Sequence, residues 1–270
     1  MSEFGDAYAA GQANEPATIE VEGIPHILVP QGCTLESMEK FMEAPRRIIA
    51  QPQFLDITGF ADYAEEFQEE GSRIFVDDEK RTFFIMFDAP AKGKPAWADH
   101  TASYPVRLSP EWNRFKAQDG KRMEPLELAE FIEDNLEYFV GPVTGAELLT
   151  MAQDLKVNIR GKINNSGTTQ KGVTTLLIEN NSEVSGGPKK VEFPAEVELS
   201  LRIFKNHTTF KVRSRLRYRF TEEGIKFHFA LYDTEQTEED AFNLVIDEVR
   251  EATGLKTVRG SYYGPSPKAR

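Results

Sequence analysis

The chain has 270 residues and a formal net charge of −12, and 40% of its residues are apolar. That apolar fraction supports a sizeable core, which excludes an intrinsically disordered chain. The single cysteine, Cys33, excludes an internal disulfide framework and any zinc or iron–sulfur site built from several cysteines. No run approaches the roughly 18 apolar residues of a membrane span, and the acidic N-terminus has no signal pattern. We therefore expect a globular cytoplasmic protein that does not enter a membrane.

Helical and strand patterns alternate through the first 150 residues. Residues 1–18 predict a flexible acidic N-terminus. Strands are predicted at residues 24–29, 73–76, 82–87 and 100–108, the middle two forming a hairpin. Five helices are predicted. The first begins at Thr34 and ends just before Pro45, and its inward residues are Leu35, Met38, Phe41 and Met42. The others lie at residues 56–70, from Ser109 onward, at residues 124–139, and from a capping box at Thr144 and Glu147 to about residue 155.

Beyond residue 155, alternating apolar residues and Gly/Asn/Ser clusters replace the helical spacing. Strands are predicted at residues 157–163, 173–178, 195–204, 208–220 and 225–231, and a final helix at residues 237–253 with Gly254 ending it. The predicted fold class is α+β: a mixed helical N-terminal half with a short hairpin, then a mainly antiparallel sheet capped by the last helix.

The domain organisation follows from these patterns. We expect a flexible N-terminus at 1–18, an acidic mixed half at 19–150, the sheet with its C-terminal helix at 151–254, and a flexible basic tail at 255–270. The stretch between Gly141 and Gly145 is a candidate boundary, and either two domains or one continuous core fits the sequence.

Charge divides along the same line. Residues 1–150 hold 13 basic and 28 acidic residues, whereas residues 151–270 hold 19 and 16. Such an asymmetry inside one chain indicates that the two halves have different kinds of surface.

The most basic segment is the strand pattern FKVRSRLRYRF at residues 210–220. Apolar residues and Ser214 alternate with five cations, so the cations share one face of the predicted strand. Pairing with the strand at 195–204 places Glu198 opposite Arg215 and Glu196 opposite Arg217, or each of them displaced by one pair. On the other side Lys226 is expected beside Arg219, and His228 beside Arg217. The face would then carry seven cations: Arg202, Lys211, Arg213, Arg215, Arg217, Arg219 and Lys226.

Three interpretations of this face stay open. It is solvated, with its arginines partly paired to Glu196 and Glu198; or it docks against the acidic half, in the chain or in an oligomer; or it binds a polyanion such as nucleic acid. The strand's own aromatic residues lie on the opposite, apolar face. The basic side can draw rings only from Phe204, His228 and Tyr232, which weakens the case for base stacking.

No constellation in the sequence indicates catalysis. Glu127, Glu130 and Asp134 share a helical face, and with Asp88, Asp99 and His100 they suggest a divalent metal site, but a solvated acidic face is the favoured interpretation. The remaining histidines, His26, His207 and His228, pair with no nucleophile, and no phosphate-binding glycine loop is present. We assign no catalytic residue, metal or cofactor and expect a protein that is not an enzyme, with a metal-dependent nuclease as a distant alternative.

Motifs along most of the chain resemble one known family. They are Ile24-Pro25-His26, Ala44-Pro45-Arg46-Arg47, Phe60-Ala61-Asp62-Tyr63, Phe87-Asp88, Trp97-Ala98-Asp99-His100, Ser109-Pro110-Glu111-Trp112, Glu130-Phe131-Ile132-Glu133-Asp134-Asn135 and Leu216-Arg217-Tyr218-Arg219. Over roughly residues 20 to 255 the chain is similar to the YfdQ-like family of phage and prophage proteins, a domain of unknown function. The resemblance implies a phage or prophage origin and a cytoplasmic location, and it brings no catalytic residues.

The leading functional hypothesis is nucleic-acid binding in phage DNA metabolism or recombination, through the seven cations of the basic face. Single- or double-stranded DNA is then the partner, and a homo-oligomer is expected because acidic and basic surfaces can meet head to tail. The alternative is a protein-binding module that inhibits or redirects a host defence or replication factor through the acidic half.

Overall fold

A computed structural model describes residues 17–21, 24–28, 39–158, 163–164, 173–178, 189–221 and 224–261. The chain divides into two compact units, Met1–Ile49 and Ala50–Arg270. The first unit contains the antiparallel hairpin β1 (Ala17–Val21) and β2 (Ile24–Leu28) and a 3₁₀ turn at Glu39–Phe41. β2 confirms the predicted strand, whereas β1 was not predicted.

The predicted first helix differs from the structure. Its residues 34–38 lie outside the described residues, and the 3₁₀ turn occupies its end. Phe41 and Met42 were expected on a buried face but are 71% and 47% exposed. The predicted flexible N-terminus lies outside the described residues except for positions 17 and 18, which begin β1.

The described residues of the second unit form three sheets and several helices, so the α+β prediction is confirmed. Its described strands are β3 (Arg73–Asp77), β4 (Thr82–Met86), β5 (Thr101–Pro105), β6 (Ile163–Asn164), β7 (Val173–Ile178), β8 (Lys189–Pro194), β9 (Glu196–Arg202), β10 (Thr209–Thr221), β11 (Gly224–Leu231) and β12 (Lys256–Arg259). Its described α-helices are α1 (Ile57–Phe67), α2 (Pro110–Gln118), α3 (Pro125–Glu133), α4 (Gly145–Asn158) and α5 (Thr234–Thr253). The sheet orders are β12-β3-β4-β5, β9-β10-β11 and β6-β7-β8.

The four-stranded sheet packs against α1 and α5. Phe60 of α1 lies 5.5 Å from the Tyr104 ring, and Phe242 of α5 lies 5.6 Å from Phe83. Phe83 and Tyr104 are direct cross-strand partners, which aligns their rings on the face that the helices cover. α1 begins at the predicted place, where the Asp56 carboxylate accepts a hydrogen bond from the Gly59 N–H.

The C-terminal segment differs from the predicted flexible tail. Gly254 ends α5 in a left-handed conformation, φ +66°, as its position predicts. Lys256–Arg259 then forms β12, which pairs in parallel with β3. Alternation over four residues is too short to distinguish an edge strand from a tail, so the partner strand decides the structure. Residues 262–270 lie outside the described residues.

The sheet β9-β10-β11 (hereafter the basic sheet) presents one face to the core. Phe229 of β11 lies 5.6 Å from Phe131 of α3 and 6.1 Å from Phe139. Phe115 of α2 contacts Phe131 and Phe139 edge to face, so aromatic rings fill the space under the sheet. These side chains belong to one cluster of buried apolar residues that extends along the second unit from Phe60 to Leu255.

Two predicted boundaries in the middle of the chain are wrong. The predicted helix at 124–139 ends at Glu133 and gives way to a 3₁₀ turn at Leu136–Tyr138. Buried Asn135 explains this, because its side-chain amide donates to the Phe131 carbonyl and accepts from Arg114, competing with helical bonding. Further on, α4 includes Val157 and Asn158, so the strand predicted at 157–163 is described only at Ile163–Asn164. The suggested division between residues 150 and 151 falls within α4.

The capping box that opens α4 is confirmed. The Glu147 carboxylate accepts from the Thr144 N–H at 2.8 Å, and the Glu147 N–H donates to the Thr144 hydroxyl at 3.3 Å. Gly145, the first residue of α4, is packed against the 3₁₀ turn: a Cβ there would lie 2.5 Å from the Leu136 carbonyl oxygen.

Gly145→Ala is therefore expected to lower the free energy of unfolding by about 1–3 kcal/mol, because backbone atoms on both sides must move apart. Chemical denaturation measures this, with Gly59→Ala as the control, because a Cβ at Gly59 would meet only side-chain atoms, the nearest at 3.3 Å. Wild-type stability of Gly145→Ala would contradict the close approach.

Candidate functional site

The cations of β10 lie on the solvent side of the basic sheet, as their alternation predicts. Val212, Ser214 and Leu216 are buried, at most 6% exposed. The intervening side chains are all exposed: Lys211, Arg213, Arg215, Arg217 and Arg219. The strand thus separates an apolar face from an uninterrupted row of positive charge.

The neighbouring strands complete this face in one of the two predicted registers. Arg213 lies opposite Glu198 and Arg215 opposite Glu196, the displaced alternative. On the other side, Arg219 lies opposite Lys226 as predicted. Two like charges in direct cross-strand contact destabilise a sheet, so this end of the face costs folding free energy.

Among the described residues, carboxylates of the acidic half form ion pairs with cations at the two margins of the face. Arg202 lies 3.7 Å from Glu111 at the start of α2, and Lys226 lies 3.3 Å from Glu124 before α3. Within the described part of the chain, the five cations of β10 form no ion pair, not even with Glu196 or Glu198 opposite them. Of the interpretations left open by the sequence, pairing with the acidic half of the same chain therefore applies to Arg202 and Lys226. The five cations of β10 remain exposed to solvent.

Tyr232, immediately after β11, organises the centre of the face. The Arg215 guanidinium carbon lies 4.3 Å from the centre of the Tyr232 ring and that of Arg213 lies 5.2 Å away. The Arg215 Nε–H donates to the Tyr232 hydroxyl at 2.6 Å, and this hydroxyl donates to Glu196. We call Arg213, Arg215, Tyr232 and Glu196 the Tyr232 cluster. The hydrogen bond to Arg215 and the cation–π contacts of both arginines hold two guanidinium groups beside one aromatic ring, which limits the entropy lost when they bind a ligand.

The other two rings considered for this face contribute less. Phe204 is 1% exposed and packs on Phe242, so its assignment to the basic side is wrong. The residue lies beyond the end of β9, where strand alternation no longer decides its side. His228 does lie on the face, and burial together with the charges of Arg217 and Arg122 lowers its pKa. It is therefore neutral at pH 7 and adds no charge.

Backbone contacts fix both edges of the basic sheet. The Val140 N–H donates to the Glu198 carbonyl at 3.0 Å along β9. Along β11, Met123 and Phe227 exchange two backbone hydrogen bonds of 2.7 and 2.8 Å. The basic sheet is therefore held between segments of the acidic half, and its cations project from a rigid base.

An open cavity of about 580 Å³ adjoins the Arg202 end of the face, between the start of α2 and the β9–β10 turn. Its wall includes Lys205 and buried His207. The His207 imidazole contacts the Tyr104 hydroxyl through Nε2 at 2.7 Å and Glu248 through Nδ1 at 2.6 Å. Burial, with the charges of Asp56 and Glu248, raises the pKa of Tyr104 to about 12, so its hydroxyl stays protonated. In the neutral imidazole, Tyr104 donates to Nε2 and Nδ1–H donates to Glu248, so both ring nitrogens are engaged.

The sequence offered no signal for this Tyr104–His207–Glu248 network, since its members lie 103 and 41 residues apart. The same holds for His100, which shares a hydrogen bond of 2.9 Å with the Tyr63 hydroxyl, 37 residues away. Both histidines are buried.

The acidic residues considered as metal ligands are dispersed. Glu127, Glu130 and Asp134 are exposed on α3 and at its end, and Glu127 caps the helix by accepting from the Glu124 N–H. Asp88 accepts from the backbone N–H groups of Asp99 and His100. In the part of the chain that the structure describes, no three His, Cys, Asp or Glu side chains come together as metal ligands.

One of three comparisons with known proteins identifies a family for this chain. None of the described helices has the length and apolar content needed to cross a membrane. The chain has no significant match among curated proteins or among solved structures. Residues 4–262 match the model of a family described as uncharacterized conserved protein (DUF2303). The chain belongs to this uncharacterized protein family, DUF2303.

Proposed function

We propose that the chain binds nucleic acid through the phosphate backbone, which lies along β10 on the basic sheet. The observation that carries this proposal is the row of five exposed cations that form no ion pair within the described residues. Lys211, Arg213, Arg215, Arg217 and Arg219 would be the phosphate partners, with Arg202 and Lys226 at the margins.

The energetics of the face support a ligand. Neighbouring like charges on one strand repel each other by a few tenths of a kcal/mol per close pair, and among the described residues no carboxylate forms an ion pair with Arg217 or Arg219. A polyanion would offset it and would release counterions on binding. The net charge of −12 would oppose nonspecific association elsewhere on the protein, which favours binding at one place.

The proposed biological setting comes from resemblance. The likeness to YfdQ-like proteins would place the chain in a phage or prophage and in the bacterial cytoplasm, acting in DNA metabolism or recombination without catalysis of its own. A host protein bound through the acidic half is the competing proposal, and no contact among the described residues favours it over the basic face. Self-association of acidic and basic surfaces would be a consequence of the same charge asymmetry.

The test compares two variants that each remove two exposed positive charges at alternate positions. Arg217/Arg219→Gln changes the basic face, and Lys92/Lys94→Gln changes the loop between β4 and β5. Affinity for labelled DNA, single-stranded and duplex, is measured by fluorescence anisotropy at about 50 mM salt, where phosphate contacts are strong. We expect about 10-fold or greater weakening in the first variant and less than about 2-fold in the second.

Neither variant removes an ion pair that the described residues form, so both should keep the wild-type melting temperature. Equal weakening in the two variants would show that only net charge matters and would contradict the assignment to β10. Failure of the wild-type protein to bind either DNA would overturn the proposal and direct attention to the acidic half.

A further inference from the structure

The geometry of the face discriminates between forms of nucleic acid. The strand rise of about 3.4 Å per residue separates neighbouring cations by about 6.8 Å and extends the row over about 27 Å from Lys211 to Arg219. The row follows a single strand, since all five cations occupy alternate positions of β10. A ligand that contacts all of them must therefore present its phosphates along a nearly straight path.

A duplex cannot follow this path. One turn of B-form DNA advances about 34 Å, so over about 27 Å each strand winds through about three quarters of a turn and carries its phosphates away from the protein. The major groove is also too narrow for the surface. Three strands spaced about 4.8 Å apart, together with their arginine side chains, exceed the groove width of about 12 Å. A duplex would therefore touch only part of the row.

The Tyr232 cluster adds a surface that suits unpaired bases. The guanidinium carbons of Arg215 and Arg213 lie 4.3 and 5.2 Å from the centre of its ring, on the same face as the phosphate partners. Aromatic rings and guanidinium planes both stack against bases, and every base offers a face for stacking. Bases inside a duplex are already stacked and do not present these faces.

Resting on the proposed function, we infer that the basic sheet takes single-stranded DNA, with the backbone along Lys211–Arg219 and a base stacked on the Tyr232 cluster. Binding is independent of sequence, because neither a phosphate row nor a stacking surface recognises base edges.

The test uses the full chain with an oligothymidine strand, a mixed-sequence strand and the duplex of that mixed sequence. Both single strands should bind about 10-fold or more tightly than the duplex at the same salt. A strand containing 5-iodouracil should form a photochemical cross-link to Tyr232, located by mass spectrometry. Tyr232→Phe keeps the ring and loses only the hydroxyl bonds to Arg215 and Glu196, so it should weaken single-strand affinity by less than about 3-fold, whereas Tyr232→Leu should weaken it about 10-fold.

The possible results distinguish single-strand binding from nucleic-acid binding in general. Equal or tighter duplex binding would overturn the single-strand inference while nucleic-acid binding stands. Wild-type affinity of Tyr232→Leu, with cross-links outside the basic face, would overturn the stacking role. Absence of binding to every DNA would overturn both.

Discussion

Replacing Glu238 with alanine is expected to lower the free energy of unfolding by about 2–4 kcal/mol. The Glu238 side chain is 5% exposed, and its carboxylate lies 2.6 Å from Arg81 and 2.7 Å from Lys116. It also accepts a hydrogen bond from the indole Nε1–H of Trp112 at 2.7 Å. Alanine would leave that buried N–H unpaired and would disconnect α5 from α2 and from the β3–β4 turn. Chemical denaturation measures the loss, with the exposed neighbour Glu239→Ala as the control.

The same carboxylate predicts a pH dependence. Burial opposes its charge, but hydrogen bonds from Lys116, Trp112 and Arg81 outweigh burial, so the pKa of Glu238 lies below its ordinary value. A group whose pKa is lower in the folded state stabilises the protein above its unfolded pKa and stops doing so as the pH falls through the folded pKa. The stability difference between wild type and Glu238→Ala should therefore shrink under acid conditions. A difference that is constant with pH, or equal effects of the Glu238 and Glu239 variants, would contradict this description.

Raising the salt concentration from about 50 to about 200 mM is expected to weaken wild-type binding to single-stranded DNA by about 100-fold. Five phosphate contacts on a single strand give a slope of about −3.5 in a plot of log affinity against log salt, and this slope produces that loss. Arg213/Arg215/Arg217→Ala leaves two contacts and should reduce the salt effect to about 7-fold.

Light scattering of each sample checks that wild type and variant have the same assembly state, and Lys92/Lys94→Gln should keep the wild-type slope. A wild-type affinity that changes less than about 3-fold over this salt range would be incompatible with five phosphate contacts.

Most of the fold follows from local sequence patterns because its elements are strongly periodic or strongly capped. Ser109 followed by Pro110 starts α2 as predicted, with the serine hydroxyl accepting from the Trp112 N–H. The predictions are wrong where a distant partner decides the structure. β12 exists because β3 offers an edge some 180 residues earlier, as the contact between Arg259 and Asp78 illustrates. Asn135 ends α3 early because it reaches Arg114 on another helix.

The basic face was likewise predictable where local alternation decides the structure and unpredictable where distant partners do. Alternation alone placed the β10 cations on one side, and apolar matching reduced the register to two choices. Which of them occurs depends on the turn at Asn206, whose φ of +66° sets the hairpin connection. The Tyr232 cluster could be foreseen only as a ring on the correct side. The bonds of Tyr232 to Arg215 and Glu196 connect residues from β9, β10 and the end of β11, and a local sequence pattern does not reveal contacts between separate strands.

The most direct test of nucleic-acid binding at this face maps which arginines the ligand covers. Phenylglyoxal modifies accessible arginines, and mass spectrometry measures each one with and without bound single-stranded DNA. We expect DNA to protect Arg217 and Arg219, while Arg250 and Arg259, which are exposed in α5 and β12, react equally in both samples. Unchanged modification of Arg217 and Arg219 in the presence of bound DNA would contradict it.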